Sequence, residues 1–166
     1  MTTAQRAHIQ AVIEMFAGHK AQGDYPPGDQ RTNRDNFSWH LNEQEMEHLL
    51  ANGDHYQMDC SEMGSWILKA VGAWPWSTPG FTGSHLLRLP IHYTNAKQAL
   101  PGALVVFGPG TGHHEAVVYR ADAKAGDPVL GSHGRPGYDI VQLSALAAEQ
   151  AGSGFPGVRF LSVAHL

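Results

Sequence analysis

The sequence predicts an α+β fold in which N-terminal helices pack on an antiparallel β-sheet of about five strands. Apolar residues recur at helical spacing near the N-terminus and again after residue 60, whereas from Pro101 onward the pattern changes to short β-branched runs. Clusters of Gly, Pro and Asp separate those runs and mark turns. Helices first and strands afterwards imply segregated layers rather than alternating βα units. At 166 residues the chain reads as one domain, 1–166, able to bury a core without staples. Within it, 1–52 supply the N-terminal helices and a polar loop, and 53–166 the cysteine-bearing helix and the strands.

Ile9, Val12, Ile13 and Phe16 fall on one face of a helix from about Thr3 to Lys20. The polar stretch Gly23 to Asn36, with its Pro-Pro step, reads as a surface loop. Asn42 then caps a short helix that ends at Gly53. Met63, Ile67, Ala70 and Val71 predict a helix from Cys60 to near Gly72, with Asp59 and Glu62 spaced as a capping box. The aromatic, Pro- and Gly-rich segment Trp74 to Ser84 reads as an ordered loop. Five runs, ALVVFG, EAVVYRA, PVLGSH, YDIVQL and GVRFLSV, predict an antiparallel meander interrupted by a short helix over Ser144 to Ala151.

Composition narrows the function. A net charge of −4 and no cluster of Lys and Arg argue against nucleic acid as a partner. No apolar run reaches the ~18 residues needed to cross a bilayer, so no membrane partner is expected. The N-terminus lacks the layout of a signal peptide, so synthesis in the cytoplasm is expected, and any action outside it would need release or injection. A single cysteine excludes an intramolecular disulfide.

That cysteine, Cys60, lies at the predicted first turn of a helix. Unpaired N–H groups and the helix dipole favour an anion there, which in reactive cases brings a thiol from ~8.5 to ~3.5–7.5. Nucleophilic chemistry also needs a base and a group that orients it. Of eleven histidines, His8, His19, His48 and His165 have no setting that suggests a role. GTGHHEAVVYR delivers His113 and His114 to the start of a strand, with His114, Ala116 and Val118 on one face. His133 ends the next strand, within reach of His114 across an antiparallel pair.

In this order, DCSEMGSWILKAVG, PGALVVFG, GHHEAVVY and VLGSHG resemble the motifs of the NlpC-type cell-wall cysteine peptidases and their relatives among phage endolysins and CHAP-type amidases. The resemblance covers roughly Tyr56 to Leu143, and GFTGSHLL looks like the Gly-Tyr-Thr-Gly loop of many phage lysins. It implies a papain-like fold, with Cys60 as nucleophile, His114 as general base and His133 as the orienting residue. Asp139 or a nearby amide is the alternative third group. Tyr56, Asp59, Ser61 and His113 are implied as substrate contacts, with no metal and no cofactor. Two positions depart from the pattern: Glu62-Met63 replaces a small residue or Gly-Phe, and Ala103 replaces Asp.

The implied reaction is acyl transfer on the stem peptide of peptidoglycan, by an endopeptidase or amidase acting as a monomer in a phage endolysin or antibacterial lysin. Backbone N–H groups at the helix start would hold the oxyanion. Competing readings are a zinc-dependent hydrolase with Cys60, His114 and His133 as ligands, a non-catalytic cell-wall-binding module of the same fold, and a cysteine hydrolase acting on another amide or an acyl lipid. Trp74, Trp76 and Phe81 read as a core cap or as a sugar platform.

Overall fold

Thr2 and Gln5 exchange side-chain and backbone hydrogen bonds in a capping box that starts helix α1, Thr3–Gly18. In the computed structural model, which describes residues 1–26, 38–78, 80–89, 91–134 and 137–162, this helix stops before Lys20. A short 3-10 turn over Lys20–Gln22 follows. Strand β1, Gly23–Asp24, occupies the start of the expected loop; residues 27–36 of that loop lie outside the described residues. Asn42 caps α2, Glu43–Ala51, as its spacing predicts. Strand β2, Tyr56–Gln57, pairs in parallel with β1 and leads into α3, Cys60–Ala70.

Two elements depart from the sequence reading. Helix α4, Thr82–Arg88, forms where the lysin-like loop is expected. No side chain caps its start, and Thr-Gly-Ser is a poor helix opening, so local signals are weak. Its fully buried His85 fastens it to the core instead. The three-residue strand β3, Ile91–Tyr93, is too short for a period-two signal.

The remaining elements are β4 (Leu104–Phe107), β5 (His114–Arg120), β6 (Val129–Gly134), β7 (Gly137–Gln142), α5 (Leu143–Gly152) and β8 (Val158–Ser162). The main sheet is antiparallel throughout, in the order β3-β8-β4-β5-β6-β7. It therefore has six strands rather than about five. The meander covers only β4 to β7, because β8 returns after α5 to lie beside β4.

Both faces of this sheet are covered. On one face Leu104, Val106, Val117, Tyr119, Tyr138 and Leu161 meet the apolar sides of α1 and α3. On the other, Val105, Phe107, Ala116, Val118, Leu130 and Phe160 lie under Leu143 and Leu146 of α5. This explains why LVVF reads as a continuous apolar run without alternation. It also fixes a parity: odd-numbered residues of β5 face α3, and even-numbered ones face α5. Phe16 sits at the centre of the first layer, with ring centroids 5.1 Å from both Tyr56 and Trp66.

Helix α1 approaches the sheet closely at Gly131. A Cβ there would lie 2.1 Å from the Tyr138 hydroxyl and 2.9 Å from Ile13 Cγ2. Gly131→Ala is therefore expected to lower stability by about 1–3 kcal/mol through overpacking. Gly18→Ala, where a Cβ meets no atom within 4 Å, should not. Thermal unfolding of the two variants checks this; equal midpoints would contradict the close approach.

Candidate active site

The first turn of α3 is built by its cap. Asp59 Oδ1 accepts from the backbone N–H groups of Ser61 (3.0 Å) and Glu62 (2.9 Å) and from the Ser61 hydroxyl (2.9 Å). Glu62 Oε2 accepts in return from the Asp59 N–H at 3.3 Å, completing the expected capping box. The Met63 N–H donates to the Asp59 carbonyl. Of the first four helical N–H groups, those of Ser61, Glu62 and Met63 are thus engaged inside the cap. The turn is held rigidly, and Cys60 is its first residue.

Cys60 is only 7% exposed. Burial pushes its thiol up to about 12, and the neighbouring Asp59 carboxylate adds to this. The Tyr25 hydroxyl acts in the opposite direction by hydrogen bonding to the sulfur. The Glu115 carboxylate raises the value further, while the Glu115 backbone N–H, directed at the sulfur, lowers it. The sequence-based expectation of a resting thiolate is thereby reversed. Desolvation and two nearby carboxylates outweigh the helix dipole, which is worth only ~0.3–1 kcal/mol in ordinary settings.

His133 lies on the same side of the sheet. The β5–β6 register pairs Ala116 with Ser132, so the next step sets His133 beside Glu115, whose N–H faces Cys60. The His133 ring is 1% exposed, and its centroid lies 5.5 Å from Tyr25, 5.6 Å from Tyr56 and 6.2 Å from Tyr138. Its Nε2–H donates across a long 3.4 Å contact to the Asp24 carbonyl, which leaves Nδ1 as the basic nitrogen. Among the described residues Nδ1 is buried with no hydrogen-bond partner, while the Met58 backbone joins that of Asp24 in acting on the ring. Burial lowers the imidazole to about 4 against the pull of the surrounding carbonyls and carboxylates, so the ring is neutral. Tyr25 touches both the thiol and this ring.

His114 is elsewhere. It belongs to the even set of β5, on the α5 side of the sheet, where its Nε2 hydrogen bonds Ser132 Oγ at 2.8 Å and its ring lies 5.9 Å from Phe107. A cavity of about 140 Å³ adjoins it, lined by Ser132, Asp139, Leu146 and Glu149 among others. The expected hydrogen bond between His114 and His133 is absent, because the two rings occupy opposite faces. His114 does share the inward direction of Ala116 and Val118, but both faces of this sheet are inward. For the same reason Cys60, His114 and His133 do not converge as three metal ligands.

The other expected contacts are accounted for within the chain. Tyr56 is a fully buried wall of the core, against Phe16 and His133. Asp59 and Ser61 serve the cap, and the Ser61 hydroxyl also lies 3.2 Å from the Gly80 carbonyl. His113 is exposed and stacks on Phe155 with ring centroids 3.4 Å apart. Asp139 hydrogen bonds Lys20, which holds its carboxyl below the usual range. Trp74 is buried, as a core cap requires, whereas Trp76 and Phe81 are partly exposed.

Three polar residues beside Cys60 escaped the sequence reading. Glu115 Oε2 lies 2.9 Å from His85 Nδ1, and His85 Nε2 lies 2.9 Å from Ser65 Oγ, with all three residues 0% exposed. The one sequence signal was Glu115 itself, a carboxylate inside an otherwise apolar strand. His85 gave none, since nothing local says that α4 forms. Compared with protein-family models and with curated protein sequences, the chain matches neither.

Two measurements follow from these environments. Iodoacetamide should label Cys60 in the folded protein at pH 8 at least ~100-fold more slowly than in urea, since a thiol near 12 is almost wholly protonated there. Similar rates in both states would contradict the buried, protonated thiol. His133 titrates near 4 in the folded chain and near 6.5 when unfolded, so the unfolded chain takes up the proton first on acidification. Its contribution, up to about 3 kcal/mol, is complete above pH 6.5 and is lost as pH falls toward 4. Chemical unfolding from pH 7 to 4 should show a shallower decline in His133→Phe than in wild type.

Proposed function

We propose that this chain is a thiol hydrolase of papain-like design that cleaves an amide bond in the stem peptide of peptidoglycan. The observation that carries the reading is that Cys60, on the rigid first turn of α3, and the buried His133 lie on the same side of the sheet and share Tyr25 as a neighbour. The order of the DCS, PGALVVF and GHHEAVVY segments supports the choice of substrate. His133 is the base in this reading, in place of His114, because it shares the thiol's side of the sheet.

At rest the pair is neutral thiol and neutral imidazole. As the thiol adds to the amide carbonyl, its proton passes to His133 Nδ1 and is later given to the leaving amine. The thioester so formed is hydrolysed by water activated by the same nitrogen. Because the cap engages the Ser61, Glu62 and Met63 N–H groups, the Cys60 N–H is the helix-start donor left for the oxyanion. Asp59 therefore fixes the turn and does not touch substrate.

Purified sacculi incubated with wild type should release muropeptides identifiable by mass spectrometry, and Cys60→Ala should release none. His133→Ala should lose activity by at least ~100-fold, while His114→Ala stays within ~10-fold of wild type. The reverse order would return the base to His114. Equal release by wild type and Cys60→Ala, or no release by wild type from several wall types, would sink the hydrolase reading. In the active enzyme the acid limb of kcat/KM should lie near pH 4, following the lowered imidazole, so that activity persists at pH 5.

A further inference from the structure

Ser65, His85 and Glu115 come from three different elements, α3, α4 and β5, and meet in a sealed chain of hydrogen bonds one helical turn beyond Cys60. Its shape is that of a Ser-His-Glu hydrolase triad, but its surroundings forbid that use. A Cβ on Gly80 would lie 1.4 Å from Ser65 Oγ, so the chain before α4 rests directly on the hydroxyl and no substrate can reach it. Ser65 Oγ also lies 2.9 Å from the Ser61 carbonyl, to which it donates. It then accepts from His85 Nε2–H, and an imidazole that donates to a hydroxyl is not its base. One proton remains for His85 Nδ1 and Glu115 Oε2 to share.

We propose that Ser65, His85 and Glu115 form a positioning relay that sets the place and the electrostatic environment of the Cys60 thiol. The relay grips the thiol's setting at two points. At one end Ser65 holds the Ser61 carbonyl, in the turn that presents Cys60. At the other, the Glu115 side chain is anchored by His85 while its own backbone N–H points at the sulfur. Gly64 permits this approach, since a Cβ there would lie 2.2 Å from Glu115 Oε1. Burial raises the Glu115 carboxyl against the pull of His85, with the Thr82 side chain acting in the same direction as the imidazole.

This inference rests on the reading of Cys60 as the nucleophile, but its test does not need a substrate. The groups facing the sulfur are Tyr25, Asp59, Glu115 and, across Tyr25, His133; of these only Glu115 belongs to the relay. The rate of Cys60 alkylation by iodoacetamide is measured from pH 7 to 10 in folded wild type, Glu115→Gln, His85→Gln and the double variant. Glu115→Gln keeps the shape but removes the carboxyl that shares the His85 proton, so the anchor of β5 at the sulfur is altered and the alkylation rate at fixed pH should change by roughly three-fold or more. Because the relay acts as a unit, His85→Gln added to Glu115→Gln should change the rate little further. His48→Ala, on an exposed helix face, is the control.

A rate in folded Glu115→Gln within two-fold of wild type would overturn the proposal, as would strictly additive effects of the two substitutions. If Glu115→Gln fails to fold, Ser65→Ala provides the second arm. It keeps the charge pair and cuts the grip on Ser61, and it should change the alkylation rate without moving the His133-dependent part of the acid stability curve. An unchanged rate there overturns the proposal equally. Failure of the sacculus assay with a positive alkylation result would remove the hydrolase reading and leave the relay standing.

Discussion

The first turn of α3 is the constraint on which the rest depends. It must lie against β5 closely enough for a backbone N–H of the strand to face the Cys60 sulfur, yet it carries Asp59, Glu62 and the neighbouring Glu115 in a nearly dry environment. A buried carboxylate is costly unless its oxygens are engaged. Asp59 achieves this by accepting three hydrogen bonds from its own turn, and Glu115 only in part, by pairing its Oε2 with His85. Helix α4 exists in its observed position because that imidazole must reach the carboxylate. Gly64 and Gly80 are small because Glu115 and Ser65 occupy the space a side chain would take.

The same closeness governs the chemistry. A thiol in such a place is protonated, and an imidazole walled by Tyr25, Tyr56 and Tyr138 is neutral. Such a pair has no standing charge to stabilise in the apolar layer, which costs less in burial than a thiolate–imidazolium pair would. Proton transfer then belongs to the moment of attack. In this arrangement reactivity depends on geometry and on the charge balance of the carboxylates, with the helix dipole as a secondary influence.

Most elements could be read from local pattern, and for clear reasons. The caps at Asn42 and Asp59 fall where Asx-x-x-Glu spacing puts them, and five strands coincide with β-branched runs between turn formers. The misses share a cause. Helix α4 and strand β3 have no strong local preference and are held by partners distant in sequence, His85 by Glu115 and β3 by β8. The resemblance implies Tyr56 as a substrate contact, but its strand is only two residues long and its ring turns into the core.

By itself the sequence determined the α+β class, the capped helix that presents Cys60, and the short list of histidines worth considering. These are properties of spacing and composition, and neighbours along the chain decide them. Only the tertiary structure decided which histidine shares the thiol's side. Parity along a strand says that His114 and Glu115 face opposite ways, but not which way the helix lies, and with both faces covered each direction is interior. The ionisation of the thiol belongs to the same class of fact. It depends on how much water is excluded and on which carboxylates approach, and those are set by packing between segments that no local pattern records.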